Sequence, residues 1–130
     1  VAALMESGIR YAASWLPFQG GLQTARDFQR NRKQLDEVIA LVRRDALAPV
    51  ATNRHLRQLP GQYRYLSNDG GEIVVEDPSG NSKVLFFSVR GMLSGSRGLL
   101  YTADDQPVMS WEVIRSVRKQ ARNWYWVETE

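Results

Sequence analysis

The chain has 130 residues, 43% of them hydrophobic, with a net charge of +3 and a pI near 9.5. That is enough apolar content for a single core, and no run approaches the roughly 18 consecutive apolar residues of a membrane span, so the sequence reads as one soluble domain. The absence of cysteine excludes disulfides, thiol nucleophiles and thiolate zinc sites. Charge is unevenly spread. Residues 1–68 hold ten basic and five acidic side chains, residues 69–110 three and six, and residues 111–130 four and three.

The chain opens at Val1 without an initiating Met, which leads us to expect an upstream segment, such as an anchor, that is missing here. Residues 1–23 read as a short helix or linker after that anchor, and residues 24–130 as a single folded domain. Leu4, Gly8, Tyr11 and Trp15 fall on one helical face, but Ser7-Gly8 weakens a helix and Pro17 ends it.

From Thr24 to about Asp45 the pattern is helical. Thr24 is placed to cap, with Asp27 three residues on, and Phe28, Leu35, Val38, Ile39 and Val42 recur at threes and fours. The spacing predicts one amphipathic helix of about five turns that requires a sheet to pack on. Arg30, Lys33 and Arg44 lie on its opposite, basic face.

A polar connection through Asn53, Arg54 and His55 leads to Leu59–Ser67, where Tyr63 and Tyr65 share a face if the backbone is extended. Asp69-Gly70-Gly71 is a turn signal. Glu72–Asp77 and Lys83–Arg90 then form a hairpin folded about Gly80, which sets Ile73 and Val75 opposite Phe87 and Leu85 on the helix-facing side. The run from Val84 to Val89 is the central strand. In that register the other face shows Glu72, Val74, Phe86 and Arg90, a partly apolar patch. Gly98–Thr102 adds a strand beside the central one, and Asn123–Glu128, with Trp124, Tyr125 and Trp126, closes the sheet. Residues 111–121 fit a strand or a helix, with the strand preferred. The fold class is α+β: one long amphipathic helix across an antiparallel meander of five to six strands.

No catalytic pattern stands out. His55 is the only histidine and has no Glu or His at a ligand spacing; no serine sits in a Gly-x-Ser-x-Gly elbow. Asp104-Asp105 reads as an acidic turn before Gln106-Pro107, and Glu72 with Glu76 as solubilising charges on a strand. The spaced glycines from Gly91 to Gly98 precede a strand, not a helix whose amides cradle phosphate. No cofactor or metal is expected, and enzymatic activity is not.

Arg90, which ends the central strand, offers a guanidinium for a carboxylate or phosphate, or a diagonal partner for Glu72. Trp124 and Trp126 share a strand face and either seal the core or form a stacking platform. The candidate interaction residues are therefore Arg90, Phe86, Glu72, Trp124 and Trp126.

Leu59-Pro60 with Tyr63 and Leu66-Ser67, Gly70-Gly71-Glu72, Val84–Phe87 with Arg90-Gly91, Gly98–Tyr101 and Trp124–Val127 together resemble a group of small bacterial proteins, exported or membrane-anchored, of no assigned activity. The resemblance spans about residues 28–127. Leu59-Pro60 and Gly70-Gly71 are also similar to an immunity-type family named after a yeast cell-wall regulator, though Tyr63-Arg64-Tyr65 departs from it. The first resemblance implies an extracytoplasmic domain, anchored to the membrane only through a missing N-terminal segment. It leads us to expect an interaction domain of a bacterial envelope protein, with a protein or envelope partner. The alternative is an intracellular module that uses the basic helix against an acidic protein or, less favoured, nucleic acid.

Overall fold

The computed structural model describes residues 21–89, 95–110 and 112–130. The readings made for Val1–Phe18, for Arg90 and for Trp111 lie outside these residues. The fold is α+β, with a seven-stranded antiparallel sheet in the order β1-β2-β3-β4-β5-β7-β6. The strands are β1 (Pro49–Val50), β2 (Asn53–Gln58), β3 (Glu72–Glu76), β4 (Lys83–Val89), β5 (Arg97–Thr102), β6 (Ile114–Ala121) and β7 (Trp124–Thr129).

The single long helix is corrected to two, α1 (Ala25–Arg30) and α2 (Arg32–Arg43). Thr24 caps α1 as its sequence implies, accepting from the Asp27 amide at 3.1 Å, while Asp27 reaches back to the Gln23 amide at 3.0 Å. The break is at Asn31, whose side-chain amide donates to the Asp27 carbonyl at 2.8 Å and whose oxygen accepts from the Tyr65 hydroxyl at 2.7 Å. An Asn side chain that satisfies a final-turn carbonyl ends a helix as readily as it continues one. The apolar positions are nevertheless those expected: Phe28, Leu35, Val38, Ile39 and Val42 are all buried.

The region after α2 also differs from expectation. The charged stretch read as a connection forms β2, because a half-buried strand near the sheet edge tolerates Arg and His. Gly61–Leu66, read as extended, is a 3-10 helix behind Pro60, so Tyr63 and Tyr65 do not share a strand face. A single helical turn, α3 (Asn68–Gly71), follows.

The β3–β4 register is one residue away from the expected one. Asp77 adopts a left-handed φ of 49° and its carboxylate accepts from the Asn81 amide at 2.8 Å, closing a six-residue connection with Glu76 opposite Lys83. Ile73 therefore faces Phe86, and Val75 faces Val84. A slip of one residue exchanges the faces of every side chain. Phe86 accordingly turns toward the helices and is 1% exposed, while Val74, on the other face, is fully buried, so the patch expected around the two does not exist.

Two cross-strand rows show how the sheet is organised. On the helix side, Arg57, Ile73, Phe86, Leu99, Trp126 and Arg118 stand opposite one another in turn, an apolar row with an arginine at each end. On the other side the row is Leu56, Val74, Leu85, Leu100, Tyr125 and Lys119. The first face packs with Phe28, Leu35, Val38, Ile39 and Val42. The second gathers Met109 from the connection between β5 and β6, and that connection is pinned by the Ser110 amide donating to the Glu76 carboxylate at 3.1 Å. Both faces of the central strand are thereby buried, which explains its nearly continuous apolar sequence.

Residues 114–121 are a strand, and β7 lies inside the sheet between β5 and β6 rather than closing it. Beyond the reach of β3, the ladder of β4 is completed by side chains. The Ser67 hydroxyl accepts from the Phe87 amide at 2.9 Å, and Asn68 donates to the Ser88 carbonyl at 2.8 Å. The folded unit begins ahead of Thr24: Leu22 is in the core, and its carbonyl accepts from the Ser88 hydroxyl. Among the described residues no helix is long and apolar enough to cross a membrane.

Candidate functional site

Among the described residues, two gatherings of polar side chains outside the sheet ladders differ in how fully those side chains are used. The first is a knot at the start of β4. Lys83, its side chain 9% exposed, donates to the Thr102 hydroxyl at 2.7 Å, to Asp104 at 2.7 Å and to the Gln106 carbonyl at 2.6 Å, which uses every ammonium proton. Asp104 also accepts from Thr102, from Asn81 and from the Gln106 amide. The Lys83 bond, then those of Thr102 and Asn81, hold its carboxyl far below the usual carboxylate range.

Asp105 sits beside it with a left-handed φ of 59°. It accepts from the Asn123 amide and the Tyr125 hydroxyl, each at 2.8 Å, and from Lys119 at 3.1 Å; these bonds, in that order, lower its pKa. The two aspartates are thus the turn that their sequence suggests, fastening the β5–β6 connection to β4 and β7. Among the described residues no group of three or more His, Cys, Asp or Glu side chains comes together to hold a metal ion.

The second place is a cleft of about 400 Å³ over the helix-side face at the β5–β7–β6 end of the sheet. Trp126 and Arg118 stand opposite each other there, with Gln23, Arg97, Ser116 and Glu128 around them. The indole of Trp126 is half-buried and is held by a bond from its Nε1–H to Gln120 at 2.8 Å. Glu128 is shared by Arg115 at 3.3 Å and Arg97 at 3.8 Å. Arg118 is exposed and makes no ion pair or hydrogen bond among the described residues. An uncommitted guanidinium beside an aromatic ring, with a hydroxyl and an amide in reach, is equipped to take a carboxylate or a phosphate.

The residues singled out in the sequence fall in different parts of the molecule. Phe86 and Trp124 are each 1% exposed and belong to the core, Trp124 with its ring 5.5 Å from Phe28 and 5.2 Å from Tyr101. Of the two readings of the tryptophan pair, core sealing therefore describes Trp124, whereas Trp126 lines the cleft. Glu72 is half-buried opposite Gln58 on β2, on the far side of the sheet from the cleft. Arg30 and Lys33 are exposed on α1 and α2, and Arg44 is exposed at the C-terminal cap of α2. Their neighbours Arg32 and Arg43 are engaged within the molecule: Arg32 pairs with Asp36 at 3.2 Å and lies over the Phe28 and Trp124 rings, and Arg43 donates to Ser82. Sequence reasoning missed Arg97, Ser116 and Arg118. The available signal was strand alternation in 114–121, which places Ser116 and Arg118 on one face.

Fold and cleft together define an α+β domain built on one antiparallel sheet, with a basic cleft at one end among the described residues. No family model, curated protein or solved structure matches the chain. The resemblances set out above therefore rest on their residues alone.

Proposed function

We propose that this domain acts by binding, without chemistry of its own, and that it takes an acidic protein partner through the cleft between β5, β7 and β6. The observation that carries the reading is Arg118, an uncommitted cation directly opposite the half-buried Trp126. The contrast with the knot at Lys83 supports it, because there each charge is already matched within the fold. Titration with poly-L-glutamate, followed by two-dimensional NMR at low and high salt, tests it. The expected result is movement of the Trp126 indole resonance, weakening as salt rises and lost in Arg118→Ala. Shifts confined to α1 and α2 around Arg30, Lys33 and Arg44 would overturn it in favour of the basic helical face.

We further propose an extracytoplasmic location, supported only by the sequence resemblance. Fractionation of cells that express the full-length gene product tests this, and recovery in the cytosol would overturn it.

A further inference from the structure

Among the described residues β6 is an outer strand of the sheet, with β7 as its one neighbour. A strand of eight residues with one side unpaired offers backbone donors and acceptors to another chain, and natural edges are defended by bulges and charge. Both defences are present. The ladder with β7 is irregular between Ile114 and Ser116 and between Lys119 and Ala121, which leaves Ser116–Lys119 as the regular stretch. Arg115, Arg118 and Lys119 supply the charge; Arg118 is uncommitted, while Arg115 and Lys119 are paired within the fold with Glu128 and Asp105 and would share their exposed cations with an incoming carboxylate.

The same charges discriminate among partners. If a second copy of β6 paired antiparallel about Val117, Arg115 of each copy would stand opposite Lys119 of the other, and like charges directly opposite are destabilising. An acidic strand reverses the sign of that term. Its side chains would alternate between the two faces, meeting Arg118 and Ser116 beside the cleft and, on the other face, Lys119 and Val117. Val117 is 47% exposed, and Val113 nearby is 62% exposed, so an apolar residue at the centre of the incoming strand has a surface to cover.

From this geometry we infer that β6 accepts a short extended segment of an acidic partner protein as an eighth strand. The segment has carboxylates opposite Arg118 and Lys119 and a branched apolar residue opposite Val117. The inference rests on the cleft reading and names its partner class.

The test is calorimetric titration with three blocked peptides: Thr-Glu-Glu-Val-Thr-Glu-Thr, the same peptide N-methylated at alternate residues, and the version with Lys in place of Glu. A single-stranded oligothymidylate is added as a fourth probe. The first peptide is expected to bind, and the other three at least about tenfold more weakly, because N-methylation removes ladder bonds without altering charge. Amides of β6 should gain protection from hydrogen exchange on binding. The double variant Arg118→Glu, Lys119→Glu should transfer the preference to the lysine peptide, its folding being checked by thermal melting. Equal affinity for the N-methylated peptide, with the dependence on Arg118 retained, would overturn strand addition and leave the cleft reading standing. Binding of the acidic peptide that ignores the double substitution would overturn both. So would the absence of binding by any probe, and binding of oligothymidylate alone would reassign the cleft to nucleic acid.

Discussion

Trp124 and Trp126 are two residues apart on the same face of β7, yet their surroundings give them different roles. Trp124 is closed in by Phe28, Phe86 and Tyr101, with the Arg32 guanidinium 5.9 Å from its ring. Truncating so large a buried ring leaves a cavity, so Trp124→Ala should cost about 3–5 kcal/mol. Trp126→Ala, at the half-buried cleft, should cost clearly less. Urea denaturation of the two variants measures the difference, and equal losses would refute this division of roles. Thr102 offers a second comparison. It is fully buried, with its hydroxyl between Lys83 and Asp104, and Thr102→Val keeps the shape while removing the oxygen. The variant should lose about 1–3 kcal/mol, the cost of leaving a buried charged donor short of a partner.

At the scale of elements, β4 and β5 approach each other closely at Gly98. A Cβ on Gly98 would lie 2.0 Å from the Phe86 carbonyl oxygen, a backbone atom that cannot move without opening the ladder. Gly98→Ala should therefore disrupt β4–β5 pairing and lower the thermal midpoint more than Gly61→Ala, where the added methyl meets nothing. Circular dichroism melts of the pair provide the check. This packing also explains which elements were legible in the sequence. Periodicity identified the buried positions of α1 and α2, and the branched and aromatic runs identified β3, β4, β5 and β7, because burial imposes composition. The break at Asn31 depends on Tyr65, 34 positions away, and the register of β3 against β4 depends on the Asp77 turn; neither leaves a periodic trace. β2 and β6 were the hardest to read, since strands at and near the edges carry the charged residues that otherwise mark a loop. The cleft was correspondingly obscure. Trp126 was visible by its type, but Arg118 only acquires meaning once β6 is paired with β7.

For the whole molecule, the charge network sets how stability follows pH. Asp104 and Asp105 have lowered pKa values in the folded state, through the Lys83 bond first in one case and the Asn123 amide first in the other. A lowered carboxyl contributes stability that is fully present above the ordinary value, about 4, and is lost as the pH falls through the folded value. At the other extreme, hydrogen bonds to Glu37 and Asp105 raise Tyr63 and Tyr125, and the Asp105 bond raises Lys119. Groups raised in the folded state contribute stability that is complete below their unfolded values, near 10, and is lost as the pH rises beyond them. The thermal midpoint should consequently form a plateau between about pH 5 and pH 9 and fall on both sides. Asp105 participates in both limbs, since it is itself lowered and is a cause of the raised Tyr125 and Lys119. Asp105→Asn should therefore flatten the acid and the alkaline limbs together, whereas Asp104→Asn should flatten the acid limb alone. Scanning calorimetry of the two variants from pH 2 to pH 11 makes the comparison. An unchanged alkaline limb in Asp105→Asn would show that the contacts of Tyr125 and Lys119 with Asp105 contribute nothing to stability.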